Sequence, residues 1–321
     1  MKKESNLVIG GNGFVGKVLV KKLRERKQDV KILDKERDDI QDQKNFLHKN
    51  ILNLSEVDLP FFQNVKTVYY LAAYQYHSPL PRFGKYKVFY QNNVVGLKKV
   101  IDLCVKAGVR KIIYVSSDMV YGIPQAVPIQ EDHPTHPIGG YGKTKREAER
   151  MIQAGSIPYI ILRPRLIIGA GRLGVFEKLF VLIHKGLPVF LIGNGKNRYQ
   201  MISVYDCAEA CILAALKDKK NRVYNLGSDH SPSVYNLIQE IMEEVHSSSR
   251  IIKLNAFLVK VLLRTLTILY IPLLEREQYE IADQDYVLDT SRIKKELGWK
   301  PVYEDKMMLL EAYKSYHDRN V

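Results

Sequence analysis

The sequence predicts an α/β protein in which a doubly wound parallel sheet is combined with a smaller, interleaved α/β domain. Three observations support this prediction. An apolar run near the N-terminus ends in glycines, strand-like and helix-like segments alternate from residue 28 to about 165, and the later pattern is less regular but has no repeats or long linkers. We expect residues 1–165, with about 199–225, to form the larger domain, and residues 166–198 and 226–321 to form the smaller one.

The first element is the stretch at residues 7–16, where an apolar run is followed by glycines and then by an amphipathic segment. Three glycines are spaced three residues apart: Gly10, Gly13 and Gly16. Because they have no side chains, the backbone is able to approach a pyrophosphate at the N-terminus of the next helix. Phe14 and Val15 lie between the second and third of these glycines and are predicted to contact the cofactor with them. This pattern predicts a Rossmann-type strand, turn and helix that bind a dinucleotide.

The second strand, at residues 30–34, ends in Asp34. This acid lies roughly twenty residues beyond the glycines, where a carboxylate accepts hydrogen bonds from the adenosine hydroxyls. NAD is therefore favoured as the cofactor over NADP. Lys35 and Arg37 follow directly and are able to hold a 2′-phosphate, which leaves NADP as the alternative.

The remaining elements follow from apolar periodicity. Strands are predicted at 66–72, 110–116 and 158–163, with a weaker one near 47–51. Helices are predicted at 85–107 and 141–154. In the second half, we expect a helix at about 174–185, a strand near 199–203 and a helix from Tyr205 to Leu216.

The residues suited to chemistry follow the strand at 110–116. Ser117 lies at the carboxyl end of this strand, where such folds bind ligands. Tyr141 and Lys145 are four residues apart on a predicted helix and therefore share a face. A lysine ammonium beside a phenol lowers the phenol pKa, so Tyr141 would be able to take a proton from a substrate hydroxyl that Ser117 holds.

Composition and charge limit the choice of partners. The net charge of +14 and the pI near 9.4 favour anionic ligands or surfaces, although the basic residues are spread along the whole chain. No nucleic-acid-binding motif accompanies the charge, so no nucleic-acid partner is expected. Cys104, Cys207 and Cys211 lack metal-ligand spacing and suit a reducing cytoplasm, and the first strand begins too early for a signal peptide.

Residues 254–274 are strongly apolar but are interrupted by Lys260 and Arg264 and closed by Pro272. This segment is too broken to span a membrane. One interpretation is an interfacial helix that makes peripheral contact with an anionic membrane. The other, favoured by the pattern alone, is a helix that covers the substrate cleft.

Several motifs, in this order along the chain, resemble those of the extended short-chain dehydrogenases/reductases, and most closely the NAD-dependent epimerase/dehydratase family acting on nucleotide sugars. They are the Gly10, Gly13 and Gly16 turn, Leu71-Ala72-Ala73, Asn93-Val94-Val95-Gly96, Val115-Ser116-Ser117, Tyr121-Gly122, Tyr141 with Lys145, Arg163-Pro164, Arg198-Tyr199-Gln200 and Gly298-Trp299.

The resemblance implies a role for each matching residue. Tyr141 is the acid/base, Lys145 lowers its pKa and anchors the nicotinamide ribose, and Ser117 binds the substrate hydroxyl. Arg198 clamps the diphosphate of a sugar nucleotide, a task that suits a guanidinium fork. Residues 71–73 lie at the cofactor, no metal is required, and the helices near 85–107 and 141–154 form a homodimer interface.

Departures from the family pattern concern the substrate side. Dehydratases of the family have an acidic pair after the hydroxyl-binding residue, and here that pair is Asp118 and Met119, which disfavours 4,6-dehydration because methionine transfers no proton. Asp118 remains a substrate-binding candidate or a turn cap. Tyr70 stands where the family usually has a histidine, and Leu166 where it commonly has an asparagine near the substrate phosphate. The second arginine of many nucleotide-sugar enzymes is missing, with Ile281-Ala282-Asp283 in that region. Arg165 and Arg172 are able to replace its positive charge, and the alternative for each is a solvated surface position.

The favoured function is 4-epimerisation of a nucleotide-diphosphate sugar, with a UDP-sugar favoured, through transient oxidation at C4. A reductase or a decarboxylase would use the same residues. A sterol or hydroxysteroid dehydrogenase is the second interpretation, supported by Leu166, Arg163-Pro164 and the apolar segment 254–274, whereas Arg198 counts against it. The third is a non-catalytic NAD-binding or RNA-associated regulatory protein, which would not need Ser117, Tyr141 and Lys145 together.

Overall fold

A computed structural model of the chain describes residues 4–37, 45–76, 78–171, 176–269, 271 and 273–320. Its strands, in chain order, are β1 (Ser5–Ile9), β2 (Val30–Asp34), β3 (Phe46–His48), β4 (Val65–Tyr70), β5 (Lys111–Val115), β6 (Tyr159–Pro164), β7 (Leu166–Ile168), β8 (Val189–Ile192), β9 (Met201–Ser203), β10 (Arg222–Leu226) and β11 (Ile251–Leu254).

The helices, in chain order, are α1 (Phe14–Glu25), α2 (Leu59–Phe62), α3 (Lys85–Tyr90), α4 (Gly96–Ala107), α5 (Gly140–Ala154), α6 (Glu177–His184), α7 (Val204–Leu216), α8 (Val234–Glu244), α9 (Ala256–Ile268), α10 (Arg276–Tyr279), α11 (Ser291–Leu297) and α12 (Asp305–Asn320). The predicted helix at 85–107 is interrupted by a π-helical turn at Gln91–Val95. Inside it, the Asn93 side chain accepts a hydrogen bond from Tyr74 N at 2.7 Å and donates to Thr144 Oγ1 at 3.1 Å. The turn thus connects the loop after β4 to α5.

Seven strands form one parallel sheet in the order β10-β6-β5-β4-β1-β2-β3. The chain order reverses where β1 pairs with β2 on one side and with β4 on the other. A crevice at the carboxyl ends of the strands is expected at this switch point. The predicted Rossmann-type α/β fold is confirmed.

The predicted strands that became β2, β4, β5 and β6 agree with the structure to within two residues at each end. β3 is shorter than predicted and begins earlier. It ends at His48 because Asn50 begins a 3₁₀ turn at Ile51–Asn53, with its side chain accepting a hydrogen bond from Leu52 N at 2.9 Å.

Both faces of the sheet are buried, as the alternation along β1 shows. Leu7 and Ile9 pack with α4 and α2 on one face, whereas Val8 packs on the other with α1 and α7. Late in the chain, Trp299 joins this second face, and its indole N–H donates to Asp206 O at 3.0 Å. The limits of the two domains stay a prediction.

A smaller set of elements follows β6. β7 pairs with β9 and β8 pairs with β11, each as a two-stranded parallel sheet. A separate apolar cluster holds these strands against α6, α8 and α12, centred on Phe180, Ile241 and Leu309.

The apolar segment predicted at 254–274 contains α9, and Tyr270 and Pro272 lie outside the described residues. Leu263 is the buried residue of α9, and much of the rest of the helix is exposed. Whether α9 covers the substrate cleft stays a prediction. Within the described part of the chain, no helix has the length and apolar character needed to cross a bilayer.

Candidate active site

The glycine turn closes tightly between β1 and α1. Gly10 has φ +82°, and Gly13 N donates to Gly10 O at 3.1 Å. A Cβ on Gly16 would collide with the Gly10 carbonyl oxygen and lie 2.7 Å from Gly11 backbone carbons. Because Gly13 begins α1 as its N-cap, the turn leaves the helix N-terminus open to a phosphate.

The chain after β4 runs directly against this turn. Leu71 N and Ala72 N both donate to Ile9 O, at 2.9 and 3.1 Å, and a Cβ on Gly10 would lie 2.8 Å from Ala72 N. Leu71, Ala72 and the following Ala73 therefore border the glycine turn, where the resemblance predicts cofactor contacts.

Asp34 ends β2 beside the same turn and is largely buried. Its carboxylate accepts hydrogen bonds from Asn12 N at 2.9 Å and from Glu36 N at 3.1 Å. These bonds fix the carboxylate at the edge of the glycine turn, where a dinucleotide ribose would lie. Lys35 and Arg37 are exposed.

Lys145 ties α5 to the end of β5. Its Nζ donates to Val115 O at 2.7 Å and lies 4.5 Å from the centre of the Tyr114 ring. Burial lowers the Lys145 pKa to about 7, while the nearby Glu149 carboxylate opposes this shift. Glu149 is itself held by Arg163 Nη2 at 2.7 Å.

Ser117 and Tyr141 are placed by this link. Ser117 lies two residues beyond β5, and its Oγ donates to Asp118 Oδ1 at 3.0 Å and accepts from Met119 N at 3.2 Å. Tyr141 lies one helical turn before Lys145, and its largely buried ring packs 6.0 Å from the Tyr76 ring. The structure thus holds Lys145 at the carboxyl end of β5, two residues before Ser117, with Tyr141 one helical turn away on α5.

The Asp118 carboxylate is paired rather than free. Arg165 Nη1 donates to Asp118 Oδ2 at 2.7 Å, and the guanidinium lies between the rings of Tyr199 and Tyr286, 4.4 Å from each centre. Both charged side chains are almost completely buried, so the solvated-surface alternative for Arg165 is wrong. The Tyr286 hydroxyl also donates to Asp118 O at 3.0 Å.

Glu277 is a site residue that the sequence did not reveal. It lies on α10 with 2% of its surface exposed, and its Oε2 accepts from Gly139 N at 3.1 Å and Gly142 N at 3.4 Å. It is also hydrogen-bonded to the Tyr76 hydroxyl, and burial raises its pKa to about 7. Glu277 Oε1 has no partner among the described residues. No sequence signal locates this residue because it is separated from Gly142 by 135 positions.

Arg198 lies on the exposed side of this region. Its guanidinium Nε is 3.5 Å from Asp285 Oδ2, and 48% of its side chain is exposed. The next residue, Tyr199, covers Arg165. Arg172 lies outside the described residues.

The family described as the NAD dependent epimerase/dehydratase family matches residues 6–227, more than half of the chain. The chain belongs to this family. The chain is therefore an enzyme of this family, and its cofactor is NAD. The glycine turn and Asp34 fit that dinucleotide.

Two relatives of the chain have names that give different activities. A UDP-glucose 4-epimerase of Lactobacillus helveticus is 29% identical over 93% of this chain and 92% of its own length. The sterol-4-alpha-carboxylate 3-dehydrogenase, decarboxylating, of Bos taurus is 34% identical over 65% of this chain and 59% of its own length.

Solved structures share the fold of this chain. The UDP-glucose 4-epimerase of Thermotoga maritima, crystallised with UDP-glucose, superposes with a TM-score of 0.76 at 21% identity. The superposition covers 98% of this chain and 99% of that structure. The likeness therefore includes both the large sheet and the elements after β6.

Proposed function

We propose that this chain is an epimerase of nucleotide-diphosphate sugars that oxidises C4 transiently and returns the hydride to the opposite face of the sugar. One observation carries the proposal: Lys145 Nζ is bonded to Val115 O, which holds α5 and its Tyr141 against the strand end that bears Ser117. This arrangement suits removal of a proton from a secondary alcohol.

Each residue has a separate chemical role. Ser117 Oγ would hold the sugar 4-hydroxyl, and the Tyr141 phenolate would take its proton. A charged Lys145 stabilises that phenolate across one helical turn. Bound NAD supplies the hydride acceptor and donor. When the ketone presents its other face, return of the hydride to C4 would invert that carbon, and Tyr141 would return the proton to the oxygen.

The surroundings of Asp118 favour epimerisation over 4,6-dehydration. Dehydration requires groups that give and take protons beyond the hydroxyl-binding serine, but Asp118 is bonded to Arg165 and the next residue is Met119. Neither position therefore supplies a free group that gives or takes a proton, as an acid/base pair requires. Reduction or decarboxylation through the 4-keto sugar would use the same serine, tyrosine and lysine.

The substrate class rests on charge and on the relatives. Arg198 is half-exposed beside Tyr199, and the 3.5 Å contact of its guanidinium with Asp285 leaves it able to bind a diphosphate. The relatives named UDP-glucose 4-epimerase support a UDP-sugar. Homodimerisation through α3, α4 and α5 is part of the same proposal, and light scattering after size-exclusion chromatography would test it.

The deciding experiment is incubation of the protein and NAD with UDP-glucose, UDP-N-acetylglucosamine and their uronic acids, followed by proton NMR and mass spectrometry. Tyr141→Phe removes the acid/base, and Tyr159→Phe, at the opposite end of the sheet, is the matched control. A new sugar of unchanged mass, lost only in Tyr141→Phe, is expected. A changed mass would instead indicate reduction, dehydration or decarboxylation.

A sterol or hydroxysteroid dehydrogenase is the second candidate. It is supported by the 34% identity to the Bos taurus sterol dehydrogenase and by the exposed apolar side of α9. The half-exposed Arg198 opposes it, because a sterol has no diphosphate. If the folded protein binds NAD but turns over none of the UDP-sugars, hydroxysteroids are the next substrates to assay, and failure with both classes would favour a non-catalytic protein.

A further inference from the structure

Helix α9 presents its apolar side to solvent. At 100° per residue, six large apolar residues fall on one side of the helix axis. Their exposed fractions range from 43% to 75%, and we call them the α9 surface: Phe257, Leu258, Val261, Leu262, Ile268 and Leu269. Six large apolar side chains exposed on one side of a helix commonly mark an interaction site.

The charged residues of α9 hold the helix in this orientation. Lys260 Nζ donates to Glu280 O at 2.9 Å and pairs with Asp283, while Arg264 makes two bonds of 2.8 and 2.7 Å to the Glu280 carboxylate. Rotation of α9 to bury its apolar side would break these ion pairs. The helix therefore buries Leu263 and exposes a second apolar side, whereas an amphipathic helix usually turns its apolar side to the core.

Charge distinguishes between the two simplest occupants of this surface. Residues 245–274 carry four cations and no Asp or Glu. Lys260 and Arg264 are held by Asp283 and Glu280, whereas Arg250 and Lys253 are exposed and have no ion-pair partner among the described residues. A second copy meeting this face across a twofold axis would bring like charges together, and each chain has a net charge of +14. An anionic lipid surface complements the apolar side together with Arg250, Lys253 and the net positive charge of the chain.

We propose that the α9 surface docks on the interface of an anionic lipid bilayer, with α9 lying in the membrane plane. The depth is superficial, because none of the described helices has the length and apolar character of a membrane span. Docking would bring the substrate cleft close to the membrane, since Glu280, which holds Arg264, follows Glu277 of the active site by three residues.

The first test is co-sedimentation of the full chain with vesicles of phosphatidylcholine alone and with about 30% phosphatidylglycerol. We expect sedimentation with the anionic vesicles and a loss of about tenfold or more in the double variant Phe257→Glu and Leu262→Glu. Val57→Glu and Val302→Glu, at exposed apolar positions elsewhere, are the matched controls and should sediment like the parent protein.

A fluorescent variant keeps the proposal testable if the charged variant folds poorly. Trp299, the single tryptophan of the chain, is buried, so Phe257→Trp adds an exposed reporter on α9. Its emission should shift to shorter wavelength with anionic vesicles. An unchanged spectrum, or equal sedimentation of parent and double variant, would overturn the proposal. Vesicle-independent dimerisation that the double variant abolishes would show instead that a second copy covers the surface.

Discussion

The carboxylate of Glu277 accepts a hydrogen bond from the backbone N–H of Gly142, the residue after Tyr141. Together with its bond from Gly139 N, this contact connects α10 to the first turn of the helix that carries the predicted acid/base and its lysine. The position of Tyr141 thus depends on a residue far along the chain.

Replacement of Glu277 by Gln should change how stability varies with pH. Burial raises the Glu277 pKa from 4.5 to about 7, so between these values the unfolded state releases a proton that the folded state retains. The free energy of unfolding of the parent protein should therefore fall as pH rises from 4.5 to 7, by at most about 3 kcal/mol from this group.

Glu277→Gln lacks this titration. The free energy of unfolding of the variant, relative to that of the parent, should therefore rise as the pH increases from 4.5 to 7. Urea unfolding at several pH values measures the difference. Asp305, whose pKa burial also raises to about 7, contributes equally to parent and variant and cancels. Glu147→Gln, at an exposed position of α5, is the control, and a pH-independent difference for Glu277→Gln would contradict the expectation.

The buried pair of Asp118 and Arg165 should show strong energetic coupling. Arg165→Met leaves the Asp118 carboxylate buried without its partner, and we expect a loss of about 3–5 kcal/mol in the free energy of unfolding. Asp118→Asn should be destabilising for the corresponding reason. The double variant should lose less than the sum of the two, since neither buried charge remains alone.

A double-mutant cycle by urea unfolding measures this coupling. The exposed pair of Lys98 and Asp102, at 2.9 Å on α4, serves as the comparison and should give about 0.5 kcal/mol or less. Additive losses at Asp118 and Arg165 would mean that the pair contributes no more than a surface ion pair.

Alanine at two glycines of the cofactor turn should have different effects. Gly16→Ala places a Cβ against the Gly10 carbonyl oxygen, so the turn must shift and both stability and NAD binding should be lost. Gly13→Ala meets Gly10 O at 3.2 Å, which the fold tolerates with a small adjustment. Its methyl group lies where the backbone must approach the pyrophosphate, so NAD affinity should fall by about tenfold or more.

Isothermal titration with NAD and thermal unfolding separate these two effects. Gly108→Ala is the control, because Gly108 has φ +70° and open space around its Cβ position. It should cost about 1 kcal/mol of stability and leave NAD affinity unchanged. Equal NAD affinity in Gly13→Ala and the parent protein would place the pyrophosphate away from this turn.

Asp34→Asn should alter the choice between the two dinucleotides. The Asp34 carboxylate, fixed by Asn12 N and Glu36 N, lies where it would bind ribose hydroxyls and repel a 2′-phosphate. NAD affinity should fall by about tenfold, the loss expected for about 1.4 kcal/mol, while NADP affinity rises beside Lys35 and Arg37. The ratio of the two Kd values is the measurement, with Asp102→Asn as the control, and an unchanged ratio would remove Asp34 from the ribose site.

The sequence by itself determined the elements whose signals are local. The glycines at 10, 13 and 16 lie within one turn, and Tyr141 and Lys145 share a face because helical geometry fixes their spacing. Apolar runs located the strands of the large sheet closely, since a strand buried on both faces must be apolar throughout. These signals were sufficient for the fold, the family and the cofactor.

Tertiary structure decided the features that depend on distant residues. Asp118 and Arg165 are 47 positions apart, and Gly142 and Glu277 are 135 apart, so no spacing rule connects them. The outward direction of the apolar side of α9 likewise depends on where Glu280 and Asp283 lie to receive its cations. Periodicity identifies an apolar side, but only the packed chain determines whether that side faces the core or the solvent.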